Sequence, residues 1–324
     1  MPAKAGIQGL DPGLRRDDGG HSASTRQTGF EVPAFARAHR ARLRRGKRDV
    51  GYTMRFADRT LGRTGVTVGP LGISASYGVP APAVERAVEA GMNYVYWGST
   101  RTQAFAEALS HLAPERDRVV LVVQSYSRLS TLLTWSVERA LRSIGYGHAD
   151  VLLLGYWNKP VNSRILDAAR TLQRRGLVNF VGVSSHNRAV AATLAASGDF
   201  DIVHIRYNAA HPGAERDFFP QLPDENRPGI VSFTGTSWGQ LLNSRYTPAG
   251  ERTPTASDCY RFALTHPCVD VCVTGPASAD HVEHAIAARE RGPLSPDELA
   301  WMTRVGQEVR RRAWLGGVGP ATNR

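Results

Sequence analysis

ADVLLLGYW (residues 149–157) and GLVNFVGVSSHN (residues 176–187) are two apolar runs separated by a helical pattern over 163–175. Strands of a parallel sheet that is covered on both faces are continuous runs of Val, Ile and Leu, without the alternation of a half-exposed strand. Gly176 stands where a left-handed residue ends a helix. This stretch therefore predicts one strand–helix–strand unit with parallel strands.

The same unit recurs along the chain. Apolar runs predict eight strands, at 68–76, 94–98, 119–126, 151–157, 180–186, 202–208, 229–236 and 269–276. Helical patterns predict helices at 83–90, 102–112, 129–144, 163–175, 189–197, 215–222, 257–265 and 279–289. Eight alternating units at this length predict an α/β protein with a closed (β/α)8 TIM barrel. Residues 59–68 predict an N-terminal β-hairpin, and 295–314 predict an extra C-terminal helix.

The first 53 residues differ in composition from the rest of the chain. They hold eleven Lys and Arg against five acids. The resulting charge of +6 is more than half of the chain's net charge of +11. They are rich in Gly, Ala, Arg and Ser without a helical or strand period, so we predict a disordered basic tail. Their opening resembles a translated bacterial intergenic repeat, which implies a wrongly assigned start and a barrel over 54–315. A basic arm that contacts RNA or lipid is the alternative, and 316–324 is predicted to be a second disordered tail.

Composition restricts the partners. No run of about 18 apolar residues is present, and the three cysteines form no CxxC pair, which argues against a membrane span, a disulfide framework and a zinc site. No P-loop or HExxH motif is present either. We expect a cytoplasmic protein with a small-molecule substrate, no metal, and no nucleic-acid or membrane partner. We expect a monomer or a weak homo-oligomer, and surface positions for His266, His281 and His284.

Five segments carry a family resemblance. They are LGRTGVTVGPLG (61–72), AGMNYVYWG (90–98), GLVNFVGVSSHN (176–187), VSFTGTSWGQLL (231–242) and VTGPASADHVEHAI (273–286). In order and spacing they resemble the aldo-keto reductases. The resemblance implies an NADP(H)-dependent carbonyl reductase whose cofactor lies across the C-terminal mouth of the barrel. In that family a tyrosine protonates the carbonyl oxygen, a lysine and an aspartate lower its pKa, and a histidine orients the substrate.

All four tetrad positions hold other residues. The resemblance places Tyr96 at the aspartate position, Arg101 at the tyrosine position, Gln124 at the lysine position and Gly155 at the histidine position. An arginine cannot act as an acid near neutral pH, because its pKa exceeds about 12. Gln124 carries no charge that would lower the pKa of a neighbouring phenol. The sequence therefore predicts a divergent member with a degenerate catalytic tetrad.

Polar aromatic residues are frequent at the predicted strand ends: Tyr96, Trp97, Tyr126, Tyr156, Trp157, His186, Tyr207 and Trp238. We predict Tyr96 as the replacement proton donor, with His186 near it. Tyr126 and His186 are the other candidate acids, and the alternative for all of these residues is that they only wall the pocket. Arg101 and Arg206 are candidates to bind an anionic group of the substrate.

The cofactor half of the motif is better kept. The resemblance implies that Ser184 bonds the carboxamide, Phe233 stacks on the nicotinamide, and Thr234, Thr236 and Gly239 cover the pyrophosphate. It assigns Gly275, Pro276 and Ser278 to the adenosine phosphate. Ser185 and His204 replace two amide side chains of the family, while Gly275 and His281 replace the Lys and Arg that bind a 2′-phosphate.

Three functions remain open at this point. The first is an NADP(H)-dependent reductase with a rebuilt proton donor. The second is a catalytically inactive barrel that binds a nucleotide or metabolite as a sensor. The third is another enzyme class, such as a lyase using Tyr96, His186 and Arg206. An open cleft between Phe233 and residues 275–278 favours the first two.

Overall fold

The structure, a computed structural model, describes residues 55–98 and 101–315. The proposed tail over 1–53, the proposed start at Met54 and the C-terminal residues 316–324 lie outside this range. Ten strands occur in it: β1 Arg59–Thr60, β2 Thr67–Val68, β3 Leu71–Ser74, β4 Tyr94–Trp97, β5 Val120–Ser125, β6 Ala149–Leu154, β7 Val178–Ser185, β8 Ile202–Arg206, β9 Gly229–Phe233 and β10 Val271–Thr274. The α-helices in the same range are α1 Ala81–Glu89, α2 Gln103–His111, α3 Ser130–Ile144, α4 Ser163–Arg174, α5 Arg188–Ala196, α6 Ala214–Asp217, α7 Ala256–Thr265, α8 Ala279–Arg291 and α9 Pro296–Leu315.

Strands β3 to β10 form a closed parallel barrel, and β10 pairs with β3 to close it. The predicted (β/α)8 barrel is confirmed, and each of the eight predicted strands overlaps one barrel strand. Helices pack on the outside, so both faces of each strand are buried, as the unbroken apolar runs indicated. The predicted left-handed helix end at Gly176 is present, with φ 70°, and Gly145 ends α3 in the same way with φ 72°.

The predicted N-terminal hairpin closes the lower end of the barrel. β1 and β2 pair antiparallel, and Gly65 turns between them with φ 72°. Leu61 and Val68 belong to the apolar cluster inside the barrel. Gly62 lies so close to β9 that an added Cβ would stand 2.2 Å from the amide nitrogen of Gly229. The hairpin therefore seals this end and leaves the C-terminal mouth for a ligand.

The predicted helix over 215–222 is wrong in its second half. α6 ends at Asp217, and a short 3-10 turn, Phe219–Gln221, follows it. Pro220 has no N–H to donate to the carbonyl oxygen of Arg216 in an α-helix, and its ring would collide with that carbonyl. The helix ends before Phe218, which has φ −134°. His266 is also misplaced by the surface prediction, since it is buried and stacks on Phe219 with ring centroids 4.1 Å apart.

Residues at alternate positions of the strands face the barrel interior or the helix layer. Trp97, Trp157 and Tyr207 belong to the outer apolar cluster, so the expectation that they line the mouth is wrong. No helix of the described residues is long and apolar enough to cross a membrane. Within the same residues, no group of three or more His, Cys, Asp or Glu side chains is placed to hold a metal ion.

Candidate active site

A cavity of about 410 Å³ opens at the C-terminal ends of the barrel strands. Most of the predicted site residues line it: Tyr96, Ser184, His186, Phe233, Thr234, Thr236, Gly239 and Gly275. Arg101, Pro276 and Ser278 do not line it. The predicted cleft between Phe233 and residues 275–278 is therefore open, and it is continuous with the tetrad side of the mouth.

Tyr96 lies on the floor of the cavity, bonded to a neutral partner. Its hydroxyl donates a hydrogen bond to Oε1 of Gln124. Gly98 makes room for the phenol ring, because a Cβ there would stand 2.5 Å from Cε1 of Tyr96. Burial, with a smaller contribution from Tyr126, raises the pKa of Tyr96 well above that of a free tyrosine. The phenol is therefore held protonated and is not activated as an acid.

Gly155, at the family's histidine position, is overlaid by two side chains. A Cβ at Gly155 would stand 2.6 Å from Nε2 of Gln124 and 2.6 Å from Cε1 of Tyr126. The absence of a side chain at Gly155 is what lets both groups occupy this part of the mouth. Gly155 and the side chains of Gln124 and Tyr126 are thus sterically coupled.

Arg101 does not line the cavity, and its guanidinium makes other contacts. Its guanidinium donates to the backbone oxygen of Gln124 at 2.9 Å and to that of Ser136 at 3.3 Å. Its Cζ also lies 5.5 Å from the Trp97 ring centroid. These two hydrogen bonds tie β5 to α3.

His186 lines the cavity, but its ring neighbours differ from the prediction. Its ring centroid is 5.0 Å from that of Tyr156 and 5.4 Å from that of Phe233. Asn158 fixes the backbone there, because its Oδ1 accepts from the N–H of His186 at 2.9 Å. Burial, and then the charge of Arg206, lower the pKa of His186, which favours the neutral imidazole.

His204 is the ring neighbour of Tyr96, with centroids 5.9 Å apart. Its Nε2 shares a hydrogen bond of 2.8 Å with the hydroxyl of Tyr94, across the barrel interior. Complete burial lowers the pKa of His204 to about 3, so the imidazole is neutral. The sequence offered one signal for this residue, its place at the family's strand-six glutamine, but none for the pairing with Tyr94.

The loop after β9 has an unusual backbone. Thr234, Ser237 and Trp238 have φ values of 56°, 51° and 54°. Non-glycine residues rarely adopt this region, and such strain clusters at ligand sites. Asn208, which is fully buried, holds the loop by donating from Nδ2 to the backbone oxygen of Thr234 at 2.7 Å. Sequence reasoning missed Asn208.

Ser184 and Gly275, which the resemblance assigns to the cofactor, both line the cavity. Ser184 Oγ accepts from the N–H of Tyr156 at 2.9 Å. At Gly275 an added Cβ would stand 2.6 Å from the ring of Tyr77, an exposed residue that the sequence did not single out.

Ser278 caps α8 and takes no part in the cavity lining. Its Oγ accepts from the N–H of His281. His281 does line the cavity, which the surface prediction missed. No Lys, Arg, Asp or Glu is among the described residues that line the cavity.

Solved structures of aldo-keto reductases match most of the chain. The holo form of such an enzyme from Bacillus halodurans is 18% identical over 76% of this chain and 95% of its own, with a TM-score of 0.65. One from Klebsiella pneumoniae, in complex with NADP and acetate, is 19% identical over 78% and 96%, with a TM-score of 0.64. A Klebsiella pneumoniae structure in complex with NADPH is 20% identical, also with a TM-score of 0.64. No family model matches the sequence, and no curated protein matches it. At this level of identity the likeness establishes the architecture: the chain has the (β/α)8 fold of the aldo-keto reductases.

Proposed function

We propose that the chain is a divergent aldo-keto reductase that binds NADP(H) in its mouth and reduces a carbonyl compound with a non-standard active site. One observation carries the proposal: a single cavity joins Ser184, Phe233, the strained loop after β9 and Gly275. These are the positions at which the sequence resembles the family's cofactor segments. The structural neighbours that contain NADP or NADPH support the same assignment.

The residues present suit most of the cofactor. Ser184 would hold the carboxamide, and Phe233 would stack on the nicotinamide ring. The backbone after β9, with Gly239 at φ 82°, would take the pyrophosphate, and Gly275 leaves space that a side chain would fill. When bound, the cofactor supplies a hydride. His281 alone replaces the cations that usually hold a 2′-phosphate, so we propose weak discrimination between NADPH and NADH.

Tyr96 is the proposed proton donor. Its hydroxyl faces the cavity floor beside His204, and it stays protonated because burial raises its pKa. The hydroxyl of Tyr96 donates its hydrogen bond to Gln124. To transfer the proton to a substrate oxygen, the hydroxyl must first break this bond and donate to the substrate instead. An acid of this kind works far from its optimum, and we therefore propose a slow reductase.

A second candidate is binding without turnover, as in a sensor. The neutral contact between Tyr96 and Gln124 favours it, because no cation among the described lining residues lowers the pKa of the phenol. The two candidates share the cofactor site and differ only in proton transfer.

A single-turnover experiment separates them. Enzyme in excess over NADPH is mixed with a panel of aromatic and aliphatic aldehydes and ketones, and absorbance of the reduced nicotinamide is followed. Oxidation that depends on both enzyme and carbonyl supports the reductase. Binding of NADPH without oxidation on any carbonyl supports the sensor. Failure of NADPH to bind contradicts both candidates.

A further inference from the structure

A positively charged group adjoins the cavity beyond the residues used so far. Arg206 ends β8, and its register partner on β9 is Phe233. The Cζ atom of Arg206 lies 5.9 Å from the ring centroid of Trp238, which meets the ring of His211 edge-on at 6.1 Å. Because Phe233 and Trp238 line the cavity, Arg206 and His211 stand at its edge on the β8 side.

Arg206 is partly buried, and no carboxylate within the described part of the chain pairs with it. Three other arginines with limited exposure have a carboxylate oxygen at 2.6–2.8 Å: Arg116 with Asp150, Arg227 with Asp270 and Arg261 with Glu298. The side chain of Arg206 makes no hydrogen bond or ion pair within residues 55–98 and 101–315. A desolvated cation without a partner is costly, and a bound anion would relieve that cost.

The surrounding charges increase the attraction for an anion. Burial, and then the positive charge of Arg188, lower the pKa of Arg206. Arg188 is itself paired with Asp217 at 2.8 Å, and Arg216 shares the same carboxylate. Arg310 adds positive charge from α9, an element held close by Gly306, where a Cβ would stand 2.1 Å from the oxygen of Ala209. The edge of the cavity therefore carries excess positive charge.

His211 is a neutral imidazole, because burial and then the charge of Arg206 lower its pKa to about 4. The Oδ1 atom of Asn208 accepts from the backbone N–H of His211 at 2.9 Å and lies 3.2 Å from its Nδ1. Since an amide oxygen only accepts, Nδ1 carries the hydrogen, and Nε2 of this neutral ring is an acceptor that cannot donate to a carboxylate. Asn208 also holds Thr234, so the position of His211 is coupled to the loop of the proposed cofactor site.

Aromatic side chains at the rim of the cavity indicate what the uncharged part of a ligand would be. Tyr126, Tyr156 and Trp238 line it and are 50%, 47% and 42% exposed. Exposed rings at the rim of a pocket indicate an apolar or aromatic ligand body.

We propose that Arg206 binds the carboxylate of an aromatic carbonyl substrate, whose ring lies against Tyr126, Tyr156 and Trp238. The identity of the reacting group rests on the proposed function, whereas the binding of the anion does not. An arginine fork suits a planar carboxylate, and Arg206 has all its donors available for one. A phosphate of the cofactor is the competing source of the anion.

The test compares two probes of nearly equal size, 4-carboxybenzaldehyde and its methyl ester. Each is titrated calorimetrically into the full chain without cofactor. We expect the acid to bind roughly 10- to 100-fold more tightly than the ester. Arg206→Gln should abolish this preference, and Arg206→Lys should keep part of it. Arg142→Gln removes a charge at the other end of the barrel, in the last turn of α3, and should leave the preference unchanged.

Equal affinity for acid and ester in the unaltered chain would overturn the proposal, as would a preference that survives in Arg206→Gln. If Arg206→Gln weakens NADPH binding and not that of the acid, the anion is a cofactor phosphate and the carboxylate assignment is wrong. If NADPH does not bind at all, the proposed function fails, and the comparison without cofactor still decides the anion site. Thermal melts confirm that each variant is folded.

Discussion

The hydroxyl of Tyr96 donates its hydrogen bond to Oε1 of Gln124. These residues stand at the positions where the family that the sequence resembles has an aspartate and a lysine. Where the resemblance implies a charged pair, the structure has a neutral pair that includes a phenol. No Lys or Arg among the described residues that line the cavity lowers the pKa of this phenol.

Replacing Tyr96 by Phe tests the donor directly. If Tyr96 supplies the proton, the rate of carbonyl reduction should fall by about 100- to 10,000-fold, while the Kd for NADPH stays unchanged. Single-turnover kinetics and cofactor titration on the same variant give both values. Full activity in Tyr96→Phe, together with its loss in Tyr126→Phe, would move the donor role to Tyr126.

Replacing Arg101 by Gln should affect folding and leave cofactor binding alone. The guanidinium ties the backbone of Gln124 to that of Ser136, so its loss should lower the free energy of unfolding by about 1–3 kcal/mol. Denaturant unfolding measures this change. An unchanged midpoint combined with a specific loss of turnover would show that Arg101 acts at the site after all.

Restoring the family's histidine at Gly155 should not restore its chemistry. The new Cβ would collide with Gln124 and with the ring of Tyr126, so Gly155→His should cost about 1–3 kcal/mol of stability. Gly147→His is the matched control, because an added Cβ at that exposed glycine meets nothing within 4 Å. Thermal unfolding of the two variants should therefore differ, and equal midpoints would contradict the packing described at Gly155.

Glu215 should make stability depend on pH. Burial raises its pKa from 4.5 to about 7, partly opposed by the hydrogen bond from the hydroxyl of Tyr207 at 2.8 Å. The folded state therefore holds a proton that the unfolded state releases near 4.5, and stability from this group is lost as pH rises through about 7. In Glu215→Gln, the fall in the free energy of unfolding between pH 5 and pH 8 should be smaller by on the order of 2 kcal/mol. Denaturant unfolding at pH 5, 6, 7 and 8 measures this change. An unchanged slope would exclude Glu215 as its source.

The sequence predicted the barrel well because its signals are local. Continuous apolar runs such as that of β5, and left-handed glycines such as Gly145 and Gly176, depend on neighbours within one element. The helix over 215–222 failed because apolar periodicity does not register the missing N–H of Pro220.

The site was predicted less completely because it depends on contacts across the barrel. The hydrogen bond between Tyr94 and His204 joins strands on opposite sides of the barrel. Which residues meet across the barrel depends on how the strands are staggered, and a local sequence pattern does not predict that. The resemblance did not indicate where the side chain of Arg101 points, because its motif fixes the backbone position and not the direction of a long side chain. Tyr77 and Asn208 carry no motif and were found only from geometry.

The most direct test of the account is a calorimetric titration of the full chain with NADPH, repeated with Phe233→Ala. We predict saturable binding with one site per chain, a similar affinity for NADH, and a roughly 10-fold weaker Kd for the variant, because the ring that stacks on the nicotinamide is lost. The absence of saturable binding of either nucleotide would contradict the central claim that the mouth of this barrel is a cofactor site.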